Sequence, residues 1–138
     1  MPVTFTIMND LGLVYVRYRG VVRLEETLSA VASYAADPGF RFDQKHLVDL
    51  SEIDDYERNF VELMKAQAHK AASFSAGLDK TMMVYYAPTK VGLMMAQIVL
   101  KSWDGLDAVV ARVTQDEEQA LHMLGLSHRR IVDLPITA

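Results

Sequence analysis

The amino-acid sequence predicts an α/β domain: a five-stranded, mostly parallel sheet led by an antiparallel β-hairpin, with four helices. Two patterns carry this expectation. "VTFTI" and "LVYVRYRG" each alternate with period two, and the short turn "NDLG" between them implies a hairpin. From Leu24 onward, helical and strand-like periods alternate, giving the order β-β-α-β-α-β-α-β-α. That order calls for parallel strands joined by crossover helices. The 138 residues fit one domain, 1–138, and contain no repeat, low-complexity segment or linker.

Each element follows from local chemistry. In the first strand Val3, Phe5 and Ile7 face one way and Thr4 and Thr6 the other; in the second, Val14, Val16 and Tyr18 share a face. Leu24, Leu28, Val31, Ala32 and Ala35 form the stripe of an amphipathic helix, with Glu25 and Glu26 at its positive end. "DPG" (37–39) stops it. "HLVDL" is a short apolar strand. A second helix is expected from about Asp55 to Ala76, closed by Gly77. "TMMVYYA" (81–87) is apolar on both faces and reads as a central strand. Thr89 caps a third helix in "PTKVGLMMAQIVLKSW", "DAVVARV" is the fifth strand, and "TQDE" (114–117) reads as a capping box for a fourth helix closing at Gly125.

Composition narrows the function classes. With no cysteine, disulfides, zinc–thiolate sites and thiol catalysis are excluded. The start "MPVTFTIMND" has neither a basic nor an apolar leader region, and "VGLMMAQIVL" is about half of what a membrane span needs, so a cytoplasmic protein without a membrane span is expected. A net charge of −4 and scattered basic residues disfavour nucleic acid.

Four stretches, "YRGVVRLEETLSAV", "ADPGFRFDQKHLVDLSEID", "VYYAPTKVGLMMAQ" and "VTQDEEQALHMLGL", taken in their order and spacing, resemble the STAS/SpoIIAA-like family over roughly residues 3–126, leaving 127–138 as a C-terminal tail. The resemblance implies a (βα) superhelix with strands in sequential order and helices mainly on one face of the sheet. The other face then needs cover from the tail, a second subunit or a ligand. It also implies a regulatory module like the anti-anti-sigma factors, switched by a phosphoserine in a "DSSG"-type motif after the third strand. Here Ile53, Asp54, Asp55 and Tyr56 stand where Asp-Ser-Ser-Gly would follow, so the phosphosite does not carry over and the chain resembles the divergent subgroup lacking it.

The candidate switch-loop and partner-binding residues are therefore Asp49, Ser51, Asp54, Asp55 and Tyr56. Ser51 as nucleophile has no base or G-x-S-x-G elbow beside it, whereas Ser51-Glu52-Ile53-Asp54 spells a capping box, the preferred reading. The carboxylates Asp49, Glu52, Asp54, Asp55 and Glu57 sit where α/β folds place ligands, but helix-end electrostatics explains them better than a metal does. No histidine pair has metal-ligand spacing and no glycine-rich phosphate loop is present, so no catalytic constellation, cofactor or metal is expected. The third helix is apolar nearly all round. Met64, Leu93, Met94, Met95 and Ile98 are the candidates for an apolar interface or ligand site between the second and third helices and the sheet. The favoured function is a non-enzymatic protein-interaction module, homodimeric, with an unknown protein partner. The alternative is a domain binding an apolar small molecule or lipid.

Overall fold

A computed structural model describes residues 3–41, 43–58, 81–103 and 109–135. In chain order its elements are β1 (Val3–Met8), β2 (Leu13–Val22), α1 (Leu24–Ala35), β3 (Lys45–Tyr56), β4 (Thr81–Tyr86), α2 (Lys90–Ser102), β5 (Val109–Thr114) and α3 (Glu117–Met123). Of the helix expected from about Asp55 to Ala76, residues 59–76 lie outside the described residues, Asp55 and Tyr56 belong to β3, and Glu57 and Arg58 are not helical.

The five strands lie in sequential order, β1-β2-β3-β4-β5. β1 runs antiparallel to β2, with Val3 opposite Tyr18 and Met8 opposite Leu13; the remaining neighbours are parallel. The hairpin turns at Gly12, whose φ of 60° is one an L side chain adopts only at a cost.

Period-two alternation sorts the strands onto two faces. One carries Val14, Tyr18, Val48, Leu50, Met83, Tyr85, Val109 and Ala111, covered by Tyr34 and Ala30 of α1 and by Ala96 and Val99 of α2. The other carries Met8, Leu13, Tyr15, Leu47 and Val84, covered by Ala120 and Leu121 of α3 and by Leu124, Ile131 and Leu134. The face expected to need cover is thus closed in part by the last helix and the tail. Each fully buried Leu or Val contributes about 1.5–3 kcal/mol through removal of apolar surface from water.

Several local expectations hold. The Thr89 side chain accepts from the Gly92 N–H and starts α2. α3 closes as a Schellman motif: Gly125 has φ 77°, its N–H donates to the His122 carbonyl, and the Leu126 N–H donates to the Leu121 carbonyl.

Others are corrected. β3 extends to Tyr56, so the helix expected from Asp55 does not begin there and Ser51 is a strand residue, not a helix cap. Pairing with β2 through Arg19–Glu52, Gly20–Ile53 and Val22–Tyr56 overrides the local capping signal. At α3 the N-cap is Asp116, which accepts from the Gln119 N–H; Thr114 ends β5, and its hydroxyl bonds the Gln119 side chain and accepts from the Asp116 N–H. In α1 the expected stripe is not the sheet-facing side, since Leu28 is 38% exposed and Ala32 and Ala35 are exposed. Tyr34 sets that side instead, because its large ring meets Phe5, Phe40 and His46 edge-on.

Just before β3, Gln44 is 2% exposed and fully engaged. Its Nε2 donates to Asn9 Oδ1 at 2.9 Å and to the Gly39 carbonyl at 2.8 Å, while its Oε1 accepts from the Tyr34 hydroxyl and the Arg41 N–H. One side chain thereby ties the hairpin turn, the end of α1 and the start of β3 together.

Candidate functional site at the end of the third strand

The C-terminal ends of the parallel strands are where α/β sheets place ligand and partner sites. There, strand register sets one polar row across the whole sheet: Thr4, Arg17, Asp49, Tyr86 and Thr114 are consecutive partners on β1 to β5. All five side chains share the face that α3 and the tail cover. The adjoining row, Thr6, Tyr15, Leu47, Val84 and Arg112, is apolar at its centre.

Asp49 is the centre of the row and only 5% exposed. Its Oδ2 accepts from the Tyr15 hydroxyl and its Oδ1 from the Ser51 N–H at 2.9 Å. Both carboxylate oxygens are thus occupied, which makes a buried charge tolerable. Burial, reinforced by the hydrogen bond and charge of Asp49, pushes the Tyr15 phenol well above its ordinary range, so it remains a donor. Burial also raises Tyr86, helped by the negative charges of Glu117, Asp49 and Asp116.

Beyond Asp49 and Tyr86, β3 has no further register with β4 and, among the described residues, continues as a two-stranded ribbon with β2. Two bulges interrupt the ribbon, between Arg17 and Arg19 and between Gly20 and Val21, and both place the extra residues on β3. Gly20 occupies the second with φ 67°. Glu52 receives Arg17 and Arg19, the latter at 2.9 Å, and the Arg17 hydrogen bond holds its carboxyl below the usual range. Asp54 is the exposed extra residue of the second bulge. Asp55 accepts from the Tyr56 N–H and pairs with Arg58 at 3.1 Å; that backbone hydrogen bond is the main cause of its lowered pKa. Tyr56 is buried, with the Arg58 guanidinium 4.5 Å from its ring centroid. Glu57 accepts from the Leu24 N–H at 3.1 Å and so caps α1.

The five predicted residues Asp49, Ser51, Asp54, Asp55 and Tyr56 therefore occupy one strand but not one cluster. Asp49 lies in the buried row, Ser51 is half-buried beside it, Asp54 and Asp55 are exposed along the ribbon, and Tyr56 belongs to the core. Asp49, Glu52, Asp55 and Glu57 serve separate partners, and no group of three potential metal ligands occurs among the described residues. The sequence reading overlooked Tyr15, Arg17, Arg19 and Tyr86. For Tyr15, Arg17 and Arg19 the signal is the opposite parity of "LVYVRYRG": with Val14, Val16 and Tyr18 on one face, Leu13, Tyr15, Arg17 and Arg19 share the other; Tyr86 stands in the apolar run "TMMVYYA", which carries no such signal.

Among the apolar candidates, Leu93, Met95 and Ile98 are partly buried and packed against the core, and Met94 is 46% exposed; Met64 lies outside the described residues. The sheet-facing side of α2 consists of the small residues Gly92, Ala96 and Ser102 with Val99. Small residues there bring the helix close: an added Cβ on Gly92 would sit 3.1 Å from the Leu50 carbonyl oxygen. Among the described residues, no helix is long and apolar enough to cross a membrane. No protein-family model matches the chain, and no curated protein matches it either.

Proposed function

We propose that this chain is a non-enzymatic protein-interaction module of the STAS/SpoIIAA-like kind, cytoplasmic and homodimeric, that acts without the family's phosphoserine switch. The observation supporting this is the conformation of residues 51–56. Where the resemblance places a phosphorylatable loop, this chain has a hydrogen-bonded strand with Ser51 half-buried and its N–H held by Asp49. A kinase needs a serine on a segment that can leave the fold, and this one is paired with β2 on one side and anchored by Ile53 and Tyr56 on the other. What the ribbon offers instead is a preformed, charged, exposed surface made of Arg19, Glu52, Asp54 and Asp55. Such surfaces favour electrostatic steering of a protein partner. The exposed Met94, beside the half-buried Leu93, Met95 and Ile98, supports the second reading, an apolar small molecule bound at α2.

Native mass spectrometry of the purified protein separates the two. A protein-only dimer supports the interaction module. A chain carrying a lipid-sized adduct that is lost in Met94→Lys supports the ligand binder. Phosphate incorporated at Ser51 in the native host would overturn the absence of a switch.

A further inference from the structure

We infer that the free edge of β1 is the contact surface of a two-fold symmetric homodimer, in which β1 pairs antiparallel with β1 of a second copy; this rests on the homodimer part of the reading above. β1 is an edge of the sheet, paired with β2 on one side, and among the described residues no strand pairs with its other side. An edge strand presents unpaired N–H and C=O groups, and proteins usually blunt such edges with charge, proline or bulges. Val3–Met8 contains no charged residue and no proline, and its register with β2 is unbroken. The opposite edge, β5, carries the exposed Arg112.

The occupant follows from the sequence of the edge. Val3-Thr4-Phe5-Thr6-Ile7 has the same chemical pattern in both directions about Phe5. In an antiparallel pair centred there, Phe5 meets Phe5, Thr4 meets Thr6, and Val3 meets Ile7 of the second copy. Hydroxyl then lies opposite hydroxyl and β-branched residue opposite β-branched residue, the favourable cross-strand pairs. A two-fold interface requires such self-complementarity, and a different partner chain does not. The product is one continuous sheet of both subunits' strands. One short edge buries little surface, so a dissociation constant on the order of micromolar is expected.

The test is sedimentation velocity on the whole chain across the micromolar range. The wild type should shift from monomer to dimer. The double variants Thr4→Lys/Thr6→Lys and Thr4→Glu/Thr6→Glu each place like charges opposite one another and should weaken self-association at least about tenfold. An equimolar mixture of the two should restore the dimer. A wild type that stays monomeric overturns both the edge pairing and the homodimer. A wild-type dimer whose dissociation constant is unchanged in both variants overturns the edge pairing alone. A mixture that stays monomeric overturns the pairing register. Should a variant lose its far-UV spectrum, hydrogen exchange on the wild type decides: β1 amides should exchange more slowly as concentration rises, and concentration-independent exchange overturns the inference.

Discussion

β3 carries two polar clusters of opposite character, one just before its first residue and one where its pairing with β4 ends. At its start, Gln44 is neutral, buried and linked to Asn9, Tyr34, Gly39 and Arg41. Where its pairing with β4 ends, Asp49 is charged and buried, but its row opens within a few residues onto Arg17, Arg19 and Glu52, which are half-buried or exposed. The first cluster uses every hydrogen-bonding group of its central residue inside the fold and has nothing left to offer a partner. The second satisfies its buried member internally and leaves its charges at the surface. Internal satisfaction is the mark of an architectural cluster; the charges held at the boundary of the fold are those the proposed interaction surface would use. The same strand supplies both because it is covered on two faces along Leu47 to Leu50 and becomes a ribbon afterwards.

The contrast can be broken from either end. The largest effect is expected at Gln44→Ala, which strands several buried partners at once and should cost about 3 kcal/mol or more by urea unfolding. Asp49→Ala strands the Tyr15 hydroxyl and the Ser51 N–H and should cost about 1–3 kcal/mol, whereas Asp49→Asn keeps one acceptor oxygen for the Ser51 N–H and turns its amide NH2 toward the Tyr15 hydroxyl oxygen, and should lose clearly less. Gly92→Ala tests the close approach of α2 to Leu50, where β4 has ended. The gain in helix propensity is about 1 kcal/mol, but the new methyl meets the Leu50 carbonyl oxygen at 3.1 Å and the Thr89 Oγ1 that caps the helix at 3.0 Å, so a net loss of thermal stability is expected.

Glu52→Gln should have the smallest effect, and one that depends on pH. The folded-state pKa of Glu52 is lowered, so its contribution is present above the unfolded value of about 4.3 and is lost as pH falls through the lower folded value. Wild type and Glu52→Gln should therefore differ slightly at neutral pH and converge in acid. The difference should also shrink in high salt, because Arg17, Arg19 and Glu52 are in contact with solvent.

What the sequence made legible is what neighbours in the chain decide. The hairpin, the Thr89 cap and the Gly125 closure each depend on a few adjacent residues. The extent of β3 does not. "SEIDDYE" reads locally as overlapping helix caps, and only its pairing with β2, some thirty residues earlier, makes it a strand. Gln44 is hidden for the same reason: a glutamine before a strand reads as loop, and its Asn9 partner lies 35 residues away. The polar row was half legible, since parity placed Tyr15 and Arg17 on one face. Its alignment with Asp49 and Tyr86 required the register.

The closing of the second face by Ile131 and Leu134 bears on how the chain is made. Both follow the end of β5, and about 20 residues separate Thr114 from Leu134. On a ribosome that interval lasts on the order of seconds. During it, all five strands have been synthesised while Leu13, Leu47 and Val84 still lack these two residues of their cover. A stalled or truncated product ending near Thr114 would present that apolar surface to chaperones and to other nascent chains.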